Sequence, residues 1–408
     1  MKRAKSPDEI LPTAEAFSLQ ANIKRRLRRH FRDLGFQQED GALQPGDLDK
    51  EHYRFLHRQH REQKLTESRA FVDRHWVHFE QLFANGSNVN PVCIRPRLEL
   101  VESETWQNDL FRMATLTWSV PVSQGFGRRM RFLVWDDYNQ KLIGIFALGD
   151  PVFNLGARDK EIGWTSEDRR ERLVGLMDAF VLGAVPPYNS LLCGKLVACL
   201  VRSQEVVEAF KRKYAKTEGI ISGKTKHAKL VAITTTSSLG RSSIYNRLTI
   251  AGRKYFEQVG YTEGYGHFQV PKDIFDDMRR LLELSGHKYA SGHKYGDGPN
   301  WRLRTIRAAL AQLGMSEDIL KHNLRREIFL CRVAKNADAI LRGEASRPDY
   351  SNLETVKQIS RLCRSRWIKP RSERKPEFRE WKRQWIRDHL ILENLSQVPD
   401  QPAALKCA

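Results

Sequence analysis

Long apolar stretches are missing from this 408-residue sequence, and their absence limits the kind of protein it can encode. No run approaches the roughly 18 apolar residues that a membrane-spanning helix requires, so a membrane is not expected among its partners. Residues 1–12 contain basic side chains but no apolar core of the kind that a secretory signal carries. We therefore expect a cytoplasmic protein.

Cysteine is also scarce, with six residues spread over the chain and no Cys-x2-Cys pair. Reduced, buried thiols are expected rather than disulfides or a cysteine-based zinc site. Histidine forms two His-x2-His pairs in a region that should be helical. These are His57 with His60 and His75 with His78. Arginines surround both pairs and no cysteine is near, so surface or phosphate-contacting histidines are favoured over a metal site.

Motifs of the common enzyme classes are missing too. The sequence has no Walker-type phosphate loop and nothing that resembles a Ser-His-Asp triad. Carboxylates do cluster between residues 150 and 168, where they could bind Mg²⁺ and activate water. They are Asp150, Asp159, Glu161, Glu167 and Asp168. The lysine of the nuclease spacing is absent after Glu161, so ion pairing is favoured; no metal or cofactor is predicted, and catalytic residues are unknown.

Acidic residues are too few to balance the basic ones, which leaves a formal net charge of +20. Residues 23–32 hold six basic side chains and no acid, and residues 361–390 hold eleven basic and four acidic ones, interleaved with tryptophans. Basic surfaces attract polyanions, and indole rings can stack on unpaired bases. A nucleic acid, DNA in the first place, is the predicted partner; the alternative is a solvated helix face with its tryptophans packed inward.

The apolar periodicity predicts an α+β protein with a central mixed sheet between helical regions. Helices are expected at 13–34, 47–83, 190–214, 274–284, 301–313, 319–341 and 353–367, and partly at 243–259. Strands are expected at 131–135 and 141–148, joined as a hairpin, and at 177–185, 229–236 and 265–270. The corresponding regions are a basic helical N-terminal region at 1–85, an α/β core at 86–270 and a basic helical C-terminal region at 271–408.

The order of elements in the core is similar to that of the GNAT family of N-acetyltransferases. In that family the strand before the main helix splays from the next strand, and acyl-CoA lies in the splay with its pyrophosphate at the helix start. The matching stretch here, residues 187–195, has one glycine instead of the family's glycine-rich loop. Tyr245 lies near the position of a general-acid tyrosine, but a packed tyrosine is favoured. The resemblance thus implies the fold without acyl-CoA catalysis.

A succession of short motifs across residues 90–345 is more specific. They are GRRMRFLV (127–134), LIG (142–144), GDPV (149–152), RD (158–159), IGW (162–164), MDAFVLGAVPPYN (177–189), GKL (194–196) and GDGPNW (296–301). This succession resembles the DruA family of the Druantia anti-phage defence system. The resemblance implies a role in restricting phage beside other Druantia components, including a very large helicase-like protein. It supplies no established chemistry for this component.

Two loops are candidate phosphate contacts. Residues 234–243 place hydroxyls, a glycine and Arg241 between a strand and a helical stretch, which suits an oxyanion as well as an ordinary capped loop. The sequence Gly-His-Lys-Tyr occurs at 286–289 and again at 292–295, as a phosphate-and-stacking element or a plain glycine loop.

The sequence therefore predicts a non-catalytic nucleic-acid-binding subunit of a defence system. The alternatives are an acyl-CoA-dependent N-acyltransferase and a scaffold that docks the helicase-like component. The candidate nucleic-acid contacts are Lys24, Arg25, Arg28, Arg29, Arg128, Arg129, Ser238, Arg241, Ser242, Arg247, Lys288, Lys294, Arg366, Trp367, Arg371, Trp381 and Arg383.

Overall fold

A computed structural model describes most of the chain. The described residues are 14–39, 42–46, 49–122, 127–215, 217–218, 225–226, 228–267, 269–290 and 301–391. Lys294, the second Gly-His-Lys-Tyr segment and most of the motif at 296–301 lie outside them. Within the described residues, no helix combines the length and the apolar character needed to cross a bilayer.

Fourteen α-helices and thirteen strands are found in the described part of the chain. The helices are α1 Ala14–Asp33, α2 Lys50–Glu67, α3 Arg69–Phe79, α4 Trp106–Thr115, α5 Gly156–Ile162, α6 Ser166–Arg172, α7 Cys193–Leu200, α8 Gln204–Tyr214, α9 Lys272–Leu284, α10 Trp301–Gln312, α11 Ala337–Leu341, α12 Val356–Cys363, α13 Lys369–Arg374 and α14 Gln384–Leu390. The strands are β1 Gln37–Glu39, β2 Ala42–Gln44, β3 Pro96–Leu100, β4 Arg129–Asp136, β5 Lys141–Gly149, β6 Leu176–Ala184, β7 Thr217–Glu218, β8 Thr225–Lys226, β9 Ala232–Thr236, β10 Thr249–Ile250, β11 Arg253–Lys254, β12 Glu257–Tyr261 and β13 Glu327–Arg332.

The chain divides into two compact units, each built from stretches that are distant in sequence. The smaller unit comprises residues 1–56 and 263–325, and the larger unit comprises residues 57–262 and 326–408. The three regions expected from the sequence are consecutive ranges, whereas each of these units combines distant ranges. That residues 85 and 270 separate regions that fold independently stays a prediction.

A seven-stranded sheet forms the centre of the larger unit, in the order β12-β13-β9-β6-β5-β4-β3. All neighbours are antiparallel except β6 and β9, so the sheet is mixed and the α+β prediction is confirmed. Successive residues of β4 are buried on opposite faces: Phe132 and Val134 pack with α7, α8 and α12, whereas Leu133 and Trp135 pack with α3, α4 and α14. Helices therefore cover both faces of the sheet.

The parallel pair β6–β9 is unusually short. Its register pairs Leu176 with Ala232, Met177 with Ile233, and Asp178 with Thr234. Beyond these pairs the hydroxyl of Thr235, not a backbone N–H, donates to the carbonyl oxygen of Ala179 at 2.9 Å. The two strands therefore diverge while β6 continues to Ala184.

The apolar periodicity of the sequence predicted many of the helices and strands, but not all of them. The hairpin of β4 and β5, strand β6 and helices α1, α9 and α10 are confirmed. The expected helix at 190–214 is interrupted between α7 and α8, where the Ser203 hydroxyl accepts the N–H of Val206 and caps α8. Serine at an N-cap satisfies a backbone donor that a continuous helix would not leave free.

Two expectations after residue 240 are wrong, and a third holds for one turn. At the strand expected at 265–270, the described residues 265–267 and 269–270 form no strand, and Tyr265 makes an isolated bridge to Lys321. The stretch 243–259, expected to be partly helical, contains one 3₁₀ turn, Tyr245–Arg247, followed by strands. The helix expected at 319–341 contains β13, because residues 328–331 are buried on both sides within the sheet. A short apolar run fits a buried strand and a buried helix equally well.

The smaller unit is mainly helical. The apolar side of α1 packs against α9, which in turn packs against α10. Ile23 and Leu27 of α1 are fully buried, as are Leu281 and Leu282 of α9. The spacing of apolar residues that predicted α1 is thus the spacing that buries one side of it.

Replacing Gly144 by alanine should destabilise the larger unit by about 2–4 kcal/mol, since overpacking a sheet interior forces the backbone to move. A Cβ atom there would lie 2.3 Å from the carbonyl oxygen of Gly183. Gly194→Ala is the matched control, because its Cβ would meet only Ile244 Cδ1 at 3.5 Å. Thermal unfolding of the two variants checks this; equal loss of Tm in both would contradict it.

Acid should destabilise the larger unit through His389. An Arg61 Nη2–H lies 2.6 Å from His389 Nε2, and burial, followed by the charge of Arg61, lowers the pKa of His389 from 6.5 to about 4. Because the folded pKa lies below the unfolded one, this contribution is complete above pH ~6.5 and is lost as the pH falls toward ~4, by up to about 3 kcal/mol.

His389→Gln should therefore flatten the dependence of unfolding free energy on pH between about 6.5 and 4. The exposed His78 provides the control variant, His78→Gln. Denaturant unfolding at a series of pH values measures the slopes. A wild-type slope in His389→Gln would show that another group controls the acid response.

Candidate functional site

Helix α1 presents a row of arginines to solvent. The α1 arginine face consists of Arg25, Arg28, Arg29 and Arg32, all exposed, on the side opposite the buried Ile23 and Leu27. No acidic residue interrupts α1 between Glu15 and Asp33. Among the described residues, none of the four arginines makes an ion pair or a side-chain hydrogen bond. Three of them were sequence candidates, and the fourth candidate on α1, Lys24, is half-buried.

The neighbouring Arg26 shows how different a paired arginine in this helix is. It turns toward α9 and forms ion pairs with Asp273 and Asp277. Hydrogen bonds to these carboxylates and their charges raise the pKa of Arg26, although burial opposes the change. The fold thus neutralises one arginine of the run, whereas the outer four have no partner among the residues that the structure describes.

The C-terminal tryptophans do not offer ring faces to a ligand. Trp367 and Trp381 are 7% and 3% exposed, and they belong to the two cores on either side of the sheet. Trp381 meets Trp385 edge to face at 5.3 Å. The expectation that Trp367 and Trp381 stack on bases is therefore wrong, and the alternative, inward packing, is observed because the large apolar ring area is buried.

Three of the candidate arginines are used within the fold. Arg128 pairs with Asp150 at 2.7 Å and donates to the carbonyl oxygens of Val174 and Leu176. Arg371 Nε donates to the Ser190 carbonyl oxygen at 3.0 Å. Buried carbonyl groups outside the ladders need such donors.

Arg383 pairs with Glu80 at 3.1 Å. The prediction that Arg128, Arg371 and Arg383 are free contacts is therefore not what the structure shows. Arg129, at the start of β4, is half-buried, and Lys288 is exposed with its Nζ 5.2 Å from the Tyr289 ring centre.

The hydroxyl-rich turn after β9 is a capped loop. Ser242 is buried, its N–H donates to the Glu327 carboxylate at 2.7 Å, and its hydroxyl accepts the N–H of Tyr245 at 3.0 Å. A carboxylate of the chain thus takes the donor that a bound oxyanion would need. The oxyanion hypothesis is wrong for Ser242, whereas Ser238 and Arg241 remain exposed.

A group of three cations forms where α7 begins. The Lys195 cluster consists of Lys195 in the first turn of α7, Arg247 at the end of the 3₁₀ turn, and Arg366 in a π-helical turn that follows α12, Arg364–Ile368. Burial first, and then the charges of Arg247 and Arg366, lower the pKa of Lys195. Its Nζ lies 4.8 Å from the centre of the Trp367 ring. Two of these three residues were sequence candidates.

Lys195 was not among the contacts predicted from the sequence, where its only signal is a single cation in an otherwise apolar helix, CGKLVACL. Tertiary packing places Arg247 and Arg366 near it. A Cβ on Gly194 would lie 3.5 Å from Ile244 Cδ1, so the 3₁₀ turn lies against the start of α7, and α12 packs on α7 from another side.

Two titratable groups lie where β6 and β9 diverge. Burial raises the pKa of Asp178 to about 6, opposed by a 2.7 Å hydrogen bond from the Thr234 hydroxyl and by the charge of Arg158. Burial raises the pKa of Tyr245 to about 12. The Tyr245 ring packs 5.2 Å from those of Phe256 and Phe329. The packed tyrosine favoured from sequence is confirmed.

Four of the five carboxylates of the 150–168 cluster, all except Glu167, form ion pairs. Asp159 takes hydrogen bonds from Arg158 and Arg169, and Asp168 pairs with Arg172. Within the part of the chain that the structure describes, no group of three or more His, Cys, Asp or Glu side chains could hold a metal ion. Two groups of neighbouring cations without carboxylate partners stand out among the described residues, the α1 arginine face and the Lys195 cluster.

Comparison with known proteins identifies one family. The sequence model described as "Druantia protein DruA" matches residues 47–343. The Druantia protein DruA of Escherichia coli (strain UMEA 4076-1) is 48% identical over 386 residues, which cover 94% of this chain and 96% of that protein. No solved structure matches.

Proposed function

Because this chain belongs to the DruA family, we propose that it is a component of a Druantia anti-phage system and that it binds nucleic acid there without catalysing a reaction. The other Druantia components, among them the helicase-like protein, are its proposed protein partners. The GNAT-like character of the sheet is part of the proposal, and the short parallel pair β6–β9 supports it.

The α1 arginine face carries the nucleic-acid proposal. Side chains at 25, 28, 29 and 32 follow one side of a helix, and the seven helical rises between residues 25 and 32 extend ~10 Å, or about three base-pair steps at ~3.4 Å each. A guanidinium group can donate two parallel hydrogen bonds to phosphate oxygens, and it remains charged at any physiological pH. Within the described structure these four groups have no internal ion pair to lose when they bind a phosphate backbone.

Removing this face should weaken DNA binding and its salt dependence together. The test variant carries four arginine-to-glutamine changes, at Arg25, Arg28, Arg29 and Arg32. We expect at least a tenfold loss of affinity at low salt, and a slope of log affinity against log salt that is shallower by about one unit per lost phosphate contact. Fluorescence anisotropy with a short labelled duplex between about 50 and 200 mM salt measures both quantities.

The control removes the same charge elsewhere. It changes four exposed cations of the larger unit to glutamine, namely Arg74, Arg212, Lys357 and Lys382. Equal losses in the two variants would show that net charge alone attracts DNA. Wild-type binding that ignores salt, or stable co-purification with the helicase-like component without any DNA retention, would favour the scaffold hypothesis instead.

Acyl transfer is a second candidate, favoured by one observation. Strands β6 and β9 part after three residue pairs, close to Asp178 and Tyr245, whose pKa values are both raised. Two features oppose it: the Thr235 hydroxyl bridges to Ala179 at the divergence, and Leu191 is fully buried in the loop before α7. A pyrophosphate needs accessible backbone N–H groups there.

Acetyl-CoA separates the two candidates. A ligand that binds only the folded state raises Tm by mass action, by an amount that corresponds to about 2.7 kcal/mol at a hundred times its Kd. We expect no rise in Tm at about 1 mM acetyl-CoA, measured by differential scanning fluorimetry. A saturable rise together with acetyl transfer to an amine would establish the acyltransferase candidate.

A further inference from the structure

The Lys195 cluster differs from several buried or half-buried arginines of the larger unit. Arg158 pairs with Asp159, Arg202 with Glu354, and Arg332 with three carboxylates. In the described part of the chain, Lys195, Arg247 and Arg366 form no ion pair. These three neighbouring cations therefore have no counter-charge among the described residues.

The cluster is assembled by packed elements rather than by mobile side chains alone. Lys195 is half-buried in a helix that is otherwise almost completely buried, and the Trp367 ring lies against its ammonium group. Arg247 and Arg366 are exposed; Arg247 ends a 3₁₀ turn and Arg366 lies in the middle of a π-helical turn. Such π-helical turns are rare and occur frequently at functional sites.

We propose that Lys195, Arg247 and Arg366 bind a nucleotide phosphate that carries two negative charges, either on a free nucleotide or at the 5′ end of a nucleic-acid strand. The inference goes beyond the proposed function, because a free nucleotide would satisfy this site whether or not the α1 arginine face binds nucleic acid.

Charge favours a terminal phosphate over a phosphodiester. Three neighbouring cations repel one another, and a ligand with higher charge offsets that repulsion better. A phosphomonoester has a charge of about −1.5 to −2 near pH 7 and three acceptor oxygens. Guanidinium groups bind phosphate oxygens in pairs and an ammonium group binds them as a point charge, so both kinds of cation suit this ligand.

The loop before α7 is also fixed. Arg371 Nε donates to the Ser190 carbonyl oxygen at 3.0 Å, which ties this loop to helix α13. Leu192 then begins α7 with a left-handed backbone, φ 60°. The ligand would thus meet a site whose backbone is held in place before binding, which reduces the cost of ordering it.

The test uses the full chain and four probes. They are inorganic pyrophosphate, ATP, and one short single-stranded oligonucleotide prepared with a 5′-phosphate or with a 5′-hydroxyl. The site variants are Lys195→Gln, Arg247→Gln and Arg366→Gln, and Arg212→Gln is the control because Arg212 is exposed and unpaired in the described structure. Calorimetric titration gives the affinities.

We expect each site variant to weaken binding of a cognate probe at least tenfold and Arg212→Gln to leave it unchanged. Binding of pyrophosphate and ATP without a gain from the 5′-phosphate identifies a free nucleotide as the source; tighter binding of the phosphorylated oligonucleotide identifies a strand end. Both results support the site. Probes that do not bind, or bind the site variants as tightly as wild type, would overturn it.

Two further readouts keep the test independent of folding and of the proposed function. Arg247 and Arg366 are exposed, so their variants should retain the wild-type Tm. A loss of probe binding in Lys195→Gln alone would contradict the proposal that the three cations form one site. The variant without the α1 arginine face should still bind the small probes. If this variant loses duplex binding but keeps pyrophosphate binding, the α1 arginine face and the Lys195 cluster bind their ligands independently.

Discussion

The three-residue parallel ladder between β6 and β9 is the constraint on which the larger unit depends. It joins an antiparallel half, β3 to β6, to a second antiparallel half, β9, β13 and β12. Parallel strands need a long crossover, and α7 and α8 lie within it. Helix α7, which carries Lys195, packs on β6 and β5 of the first half.

The divergence of these strands is stabilised by side chains. Hydroxyls of Thr234 and Thr235 bond to Asp178 and to the carbonyl of Ala179, where a longer ladder would use backbone groups. The Tyr245 ring packs beside them against Phe256 and Phe329. A gap that could have admitted a ligand is thus partly closed by the protein's own polar and aromatic groups, which is why we place the proposed ligands on charged surfaces instead.

The use of charge divides the basic residues into two classes. Arginines near the sheet, such as Arg128 and Arg332, complete the fold by pairing with carboxylates or carbonyl groups. The α1 arginine face and the Lys195 cluster have no such partners in the described residues. Since unpaired like charges repel, a net charge of +20 concentrated in this way favours association with a polyanion.

Features that depend on local periodicity and on motif content could be predicted from the amino-acid order alone. The apolar spacing of α1, the hairpin of β4 and β5, and the family resemblance could all be recognised from short stretches. The arginines of α1 were predicted for the same reason, because a helix fixes which side chains share a face.

Which basic and aromatic side chains are exposed to a ligand depends instead on long-range packing. Trp367 and Trp381 carry the composition of a stacking surface but are buried, because long-range packing rather than local pattern sets exposure. Strand β13 required partners on both sides, β12 and β9, that no local signal reveals. Arg247 and Arg366, which neighbour Lys195 in the fold, are 52 and 171 positions away from it in the sequence. Local patterns do not reveal contacts over such distances along the chain.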